Sequence, residues 1–156
     1  MLHLGGDVDK RLRAILGGDV FHGTSAQRSQ MMRRVKSTRN KSTEWALRMA
    51  LVRDGIKGWQ MHRRDLQGRP DFYFPKRKLS IFVDGCFWHM CPRCGHVPGS
   101  RREFWEAKLN LNRARDRRNN AQIKREGGMV IRIWEHSLKT RAGIERSVSR
   151  IVNKLD

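Results

Sequence analysis

Apolar residues gather in a few stretches of the chain, and each stretch implies an element. Leu47, Ala50 and Leu51 share one face of a helical wheel, the i, i+3, i+4 spacing of an amphipathic helix. Ser42 or Thr43 is expected to cap that helix and Gly55 to end it. Phe72-Tyr73-Phe74-Pro75 and Leu79-Ser80-Ile81-Phe82-Val83-Asp84 read as two strands joined by a turn at Lys76-Arg77-Lys78. A turn centred near Arg77–Lys78 would set Asp71 opposite Asp84, with Cβ atoms about 4.5–5.5 Å apart. Ser100-Arg101-Arg102-Glu103 has the form of a capping box and opens a long helix that runs to Gly127-Gly128. Met129 to Trp134 is strand-like, and Ile144, Val148, Ile151, Val152 and Leu155 have helical spacing. Helix, strand, strand, cysteine loop, helix, strand, helix is the order of a mixed α/β domain, residues 42–156.

Residues 1–41 differ. They hold few large apolar residues and many Gly and Arg, and read as a partly flexible basic arm. Leu-Gly-Gly-Asp-Val occurs twice there, at Leu4–Val8 and Leu16–Val20, too few copies for a repeat architecture. Over the whole chain 34 Lys and Arg face 15 Asp and Glu, a formal charge of +19. The common partner of such a charge is a polyphosphate, DNA or RNA. Apolar runs are only a few residues long, so no transmembrane helix fits, and the N-terminus lacks a signal-peptide pattern. A cytoplasmic, nucleoid-associated protein is expected, neither secreted nor membrane-bound. On composition alone a ribosome-associated or merely soluble basic protein stays open.

Three groups of residues carry chemistry. Cys86, Cys91 and Cys94 fall within nine residues, an odd number that argues against a disulfide framework. Cys91-Pro-Arg-Cys94 is a metal knuckle, and thiolates favour Zn²⁺ with four tetrahedral ligands. The fourth could come from His89, His96 or His136. All three thiols engaged would make a closed, structural site. The second group is acidic. Asp71 follows Pro70 at a strand start, Asp84 ends the next strand, and Glu44 lies at the edge of the first helix's inward face. Carboxylates converging at strand ends bind a hard cation such as Mg²⁺, which can activate water against a phosphodiester. The third group is aromatic. Phe87, Trp88, Trp105 and Trp134 would ordinarily be core, but Phe87-Trp88 sits in a loop, where exposed rings can stack on or wedge between bases. His89, beside the cysteines, could be a ligand, a general base of near-neutral pKa, or an exposed side chain.

Gly68-Arg69-Pro70-Asp71-Phe72, Ile81-Phe82-Val83-Asp84-Gly85-Cys86-Phe87-Trp88-His89, Glu103-Phe104-Trp105 and Trp134-Glu135 together resemble the very-short-patch repair (Vsr) DNA mismatch endonucleases over about residues 28–138. The resemblance implies a restriction-endonuclease-like fold of the PD-(D/E)XK type, a central mixed sheet flanked by helices, with a structural zinc loop. It implies Mg²⁺-dependent nicking of one strand 5′ to the thymine of a T:G mismatch, the product of 5-methylcytosine deamination. By position it implies Asp71 as principal Mg²⁺ ligand, the Val83 carbonyl as a second and His89 as base, with Glu44 supporting the site. Phe87, Trp88 and Trp105 would wedge into DNA, with Arg69 beside them. Cys86, Cys91, Cys94 and His136 would hold Zn²⁺, although spacing alone leans to His96. Asp84 stands where a relative has His, and is expected as a further Mg²⁺ ligand. The expected partners are double-stranded DNA with a T:G mismatch and mismatch-repair proteins, met by a monomer. A matched-duplex nicking or restriction enzyme and a non-catalytic zinc-containing nucleic-acid-binding module are the alternatives.

Overall fold

The computed structural model describes residues 42–156, and the basic arm at 1–41 lies outside the described residues. Helix α1 occupies residues 42–53. Ser42 and Thr43 are already helical, so neither caps the start. Thr43 is buried instead. Gly55, at φ 69°, ends it.

Four strands form one sheet in the order β1-β2-β3-β4: β1 Gln60–Met61, β2 Phe72–Phe74, β3 Leu79–Asp84 and β4 Met129–Trp134. Strand β1 was absent from the expected order; at two residues it carries no periodicity to read. The first two pairings are antiparallel and the β3–β4 pairing is parallel, so the sheet is mixed. The parallel pair is bridged by α2, Arg102–Arg125, as a parallel crossover requires. A 3₁₀ turn at Glu135–Lys139 leads to α3, Arg141–Leu155, where the Thr140 hydroxyl accepts from the Gly143 amide.

Period-two alternation divides the sheet. Phe72, Phe74, Leu79, Ile81, Val83, Ile131 and Ile133 point to one face and form a core with Leu47 and Leu51 of α1 and Val148 and Ile151 of α3. Ser80, Phe82 and Asp84 occupy the other face, under α2. Strand β3 is buried at all six positions, the signature of a central strand covered on both sides.

Two expectations are corrected. The β2–β3 link is a 3₁₀ turn at Pro75–Arg77 followed by Lys78 at φ 47°, which pairs Phe74 with Leu79 and Phe72 with Ile81. Continued outward, that register faces Asp71 with Phe82, not Asp84. The turn closes one residue earlier than expected, and each residue of shift in the centre moves the pairing by two. Asp84 is thereby a diagonal neighbour, typically about 7–8 Å away. The capping box also fails. Arg101, at φ 51°, stands at the N-cap of α2 and no side chain caps it, so Ser100 lies one residue too early and Glu103 falls merely in the first turn.

Candidate active site

Asp71 sits where β2 begins, held by a backbone that leaves little freedom. Gly68 and Arg69 are both left-handed, at φ 76° and 55°, and Pro70 is fully buried. The Asp71 amide donates to the Ile81 carbonyl at 2.9 Å, and its own Oδ2 accepts from the Val83 amide at 2.7 Å. Val83 thus contacts Asp71 through main chain.

Two further side chains converge on this carboxylate. Glu44 reaches it from α1, with only 13% of its side chain exposed, and His62 from the end of β1, with Nε2 3.6 Å from the Glu44 carboxylate. One ligand atom from each of Glu44, His62 and Asp71 lies within 4.8 Å of the others, a separation that a bridging cation can span. Burial pushes Asp71 up from the ordinary carboxylate value to about 7; the Val83 amide opposes this and the negative Glu44 adds to it. An acid so reluctant to ionise gains most from a divalent ion. His62 was not legible as a site residue. Its one retrospective signal is that it directly faces Asp71 across the β1–β2 pair, its amide donating to the Asp71 carbonyl at 3.2 Å.

Asp84 is not part of that group. Both its oxygens accept from one Arg132 nitrogen, at 2.9 and 2.8 Å. His89 lies nearby, with Nδ1 3.9 Å from Asp84 but 2.5 Å from Asp116. Burial raises the Asp116 carboxyl, yet the His89 hydrogen bond and the Arg132 and Arg115 charges outweigh it and hold Asp116 below the ordinary range. The Nδ1 atom of His89 is thus engaged by Asp116. Asp116 and Arg132 both went unread in the sequence, one hidden among the arginines of α2 and the other in an apolar strand.

The cysteine loop forms the second ligand group. Cys86, Cys91, Cys94 and His136 lie within 4.8 Å of one another by ligand atom. His136 Nδ1 is 3.3, 3.4 and 3.5 Å from the three sulfurs. One ring nitrogen carries at most one proton, so three hydrogen bonds cannot explain three equal approaches. Zn–S bonds of about 2.3 Å and a Zn–N bond of about 2.0 Å at tetrahedral angles put N and S about 3.5 Å apart, close to what is seen. The residues fit that ion. His96, favoured by spacing, instead packs on the Phe87 ring at 5.7 Å. The knuckle is tight: a Cβ on Gly95 would fall 2.6 Å from the Cys91 carbonyl oxygen, which only glycine tolerates.

The aromatics form one half-buried cluster between this loop and the start of α2. Phe87 contacts Trp88 and Trp105 with centroids 5.0 and 5.3 Å apart, and the Lys108 ammonium lies within 6.0 Å of the Trp88, Phe104 and Trp105 rings. Trp134 is half-buried at the end of β4, and Arg69 is exposed beside Asp71.

A carboxylate at a strand start, joined by a helix glutamate and a histidine inside a strongly cationic chain, suits metal-assisted chemistry on a polyphosphate backbone. Residues 18–94 match the sequence model of the family DNA mismatch endonuclease Vsr. The type II nicking enzyme V.XorIIP of Xanthomonas oryzae pv. oryzae is 40% identical over 132 residues, covering 83% of this chain and 93% of the relative. The type II nicking enzyme V.NaeI of Lentzea aerocolonigenes is 36% identical over 134 residues, 81% and 78% of the two chains. The DNA mismatch endonuclease Vsr of Escherichia coli K12 is 36% identical over 118 residues, 74% of each. The chain therefore belongs to the Vsr DNA mismatch endonuclease family, and it is an endonuclease that acts on DNA. That membership sets aside the non-catalytic binding module. Among the described residues no helix is long and apolar enough to cross a membrane.

Proposed function

We propose that the protein nicks one strand of duplex DNA 5′ to the thymine of a T:G mismatch, the lesion left by deaminated 5-methylcytosine. The observation that carries the proposal is the convergence of Glu44 and His62 on the half-buried Asp71, in a chain whose charge otherwise invites phosphate. Asp71 would be the principal Mg²⁺ ligand, with the Val83 carbonyl beside it and Glu44 supporting. Such an ion supplies charge stabilisation at the scissile phosphate and lowers the pKa of its bound water. His89, held at Nδ1 by Asp116, would take or deliver a proton at Nε2. Cys86, Cys91, Cys94 and His136 would bind Zn²⁺ and fix the loop that presents Phe87, Trp88 and His89. Opening of the Phe87–Trp88–Trp105 cluster toward a mismatched step would supply the wedge, at the weakest point of the stack. Arg69, the exposed cations of α2 and the basic arm (1–41) would contact phosphates, which makes binding fall steeply with salt. We infer a monomer that hands its nick to mismatch-repair proteins in the cytoplasm.

The second reading is nicking of matched duplex; two relatives are named as type II nicking enzymes. The deciding experiment compares an end-labelled T:G duplex with its T:A counterpart, with Mg²⁺ and with EDTA. An EDTA-sensitive nick confined to the T:G strand supports mismatch repair. Equal cutting of both duplexes replaces it with the matched-duplex enzyme.

A further inference from the structure

The face of the sheet under α2 should be apolar, yet it carries a buried ionic set. Arg132 stands mid-strand in β4 directly beside Phe82 of β3, with its guanidinium 4.7 Å above the Phe82 ring. Its Nη1 donates to both oxygens of the buried Asp84, its Nη2 lies 3.3 Å from Asp116, and its Nε donates to Asn120 at 3.2 Å. Every nitrogen is engaged, and only 17% of the side chain is exposed. A planar fork held on three sides is rigid in a way that a lysine is not. Asp116, pinned on this side by Arg132, is the group that grips His89 on the other.

We infer that Arg132 is a positioning residue for nicking: it takes Asp84 out of the metal-binding set by occupying both its oxygens and, through Asp116, fixes the His89 imidazole. The inference rests on the endonuclease reading of the Asp71 site. A hard cation needs carboxylate oxygens turned toward it; both Asp84 oxygens are turned to Arg132, and Asp84 does not join the Glu44, His62, Asp71 group. Asp84 then serves as the buried anchor that holds the guanidinium level with Asp116. Asp84 and Arg132 work as a unit, and neither touches substrate.

The test measures single-turnover nicking, duplex KM and half-saturating Mg²⁺ on the full chain, normalised to folded protein by circular dichroism. Arg132→Lys keeps the charge and loses the fork. Its expected kcat is about 10–100-fold lower, with KM within about twofold and half-saturating Mg²⁺ unchanged. Asp84→Asn should lower kcat about 3–10-fold, again at unchanged half-saturating Mg²⁺. Because Arg132→Lys could strand two buried carboxylates, the pair Asp84→Asn with Arg132→Gln offers a neutral replacement of matching shape, and should reproduce the kcat loss at unchanged KM. A several-fold rise in half-saturating Mg²⁺ for Asp84→Asn would make Asp84 a metal ligand and overturn the inference. So would wild-type kcat in both Arg132 variants. Failure of the underlying reading looks different: the unaltered protein then gives no nick on any duplex.

Discussion

The molecule carries two groups with metal-ligand chemistry, and they are built in opposite ways. The Cys86, Cys91, Cys94, His136 group is closed: four donors face one point, two of the cysteines are buried, and a glycine lets the loop fold onto itself. The Glu44, His62, Asp71 group is open: His62 is 59% exposed, the donors come from a helix and two strands, and the central acid is pushed up to about 7. A tetrahedral cage leaves an ion no free position for substrate, whereas an incomplete set of hard ligands leaves several. Under the proposed function, the first group would hold a loop and the second would take part in the reaction. They are joined through residues 83–86, where one strand end contacts Asp71 and the next residues enter the cage.

Breaking the open group should have the largest effect. Asp71→Asn removes the charge that an ion needs and keeps the shape, so nicking should fall by about 10³-fold or more while duplex affinity stays within a few-fold. Nicking assays and a filter-binding isotherm on one preparation check both halves. Loss of binding together with cleavage would place Asp71 in the scaffold and erase the contrast. Opening the closed group should act differently. Cys91→Ser should release about one equivalent of zinc, measured with a chromogenic chelator, and lower Tm by about 10 °C or more. Nicking should fall with it, because Phe87, Trp88 and His89 lose their support, yet the α1–sheet–α3 core should stay folded. Extra Mg²⁺ should not restore the variant. A smaller effect is expected at the aromatic cluster between them. Trp88→Ala should reduce discrimination of T:G over T:A by about tenfold, the scale of one base–aromatic stack, with little change in Tm.

What the sequence disclosed follows the same division. The cysteine knuckle is local in sequence, so three of its four ligands were legible from spacing; the fourth, His136, lies 42 residues beyond Cys94 and came only from family likeness. The helices and the longer strands were legible because their apolar periods run over many residues. Asp71 was visible through Gly68-Arg69-Pro70, but its partners were not. His62 depends on a two-residue strand without a period, and the expected Asp71–Asp84 pairing failed on one residue of turn length. Arg132 and Asp116 were hidden for a related reason: an ion pair between a strand and a helix 16 residues apart leaves no mark on either element's own pattern. Contacts set by register or crossover geometry are the ones that a linear reading loses.

The gentlest way to separate the two groups is a proton. In the folded chain Asp71 keeps its proton to about pH 7, while the unfolded chain releases it near the ordinary value of 3.8. Between those limits the folded state binds more protons, so stability falls as pH rises and levels off above 7. Asp116 works in the opposite sense, but its folded value lies below the ordinary one, so its contribution is lost only under more acidic conditions and does not overlap. With zinc in place and no added Mg²⁺, Tm should therefore fall by about 5 °C between pH 5 and pH 8. Mg²⁺, taking the place of the proton, should recover most of that loss at pH 8 and little at pH 5. Asp71→Asn should flatten the profile and abolish the Mg²⁺ response, whereas Cys91→Ser should lower the whole curve and keep its slope. A wild-type Tm that is level from pH 5 to pH 8 would mean that Asp71 already ionises freely, and the open group would lose the property that distinguishes it from the closed one.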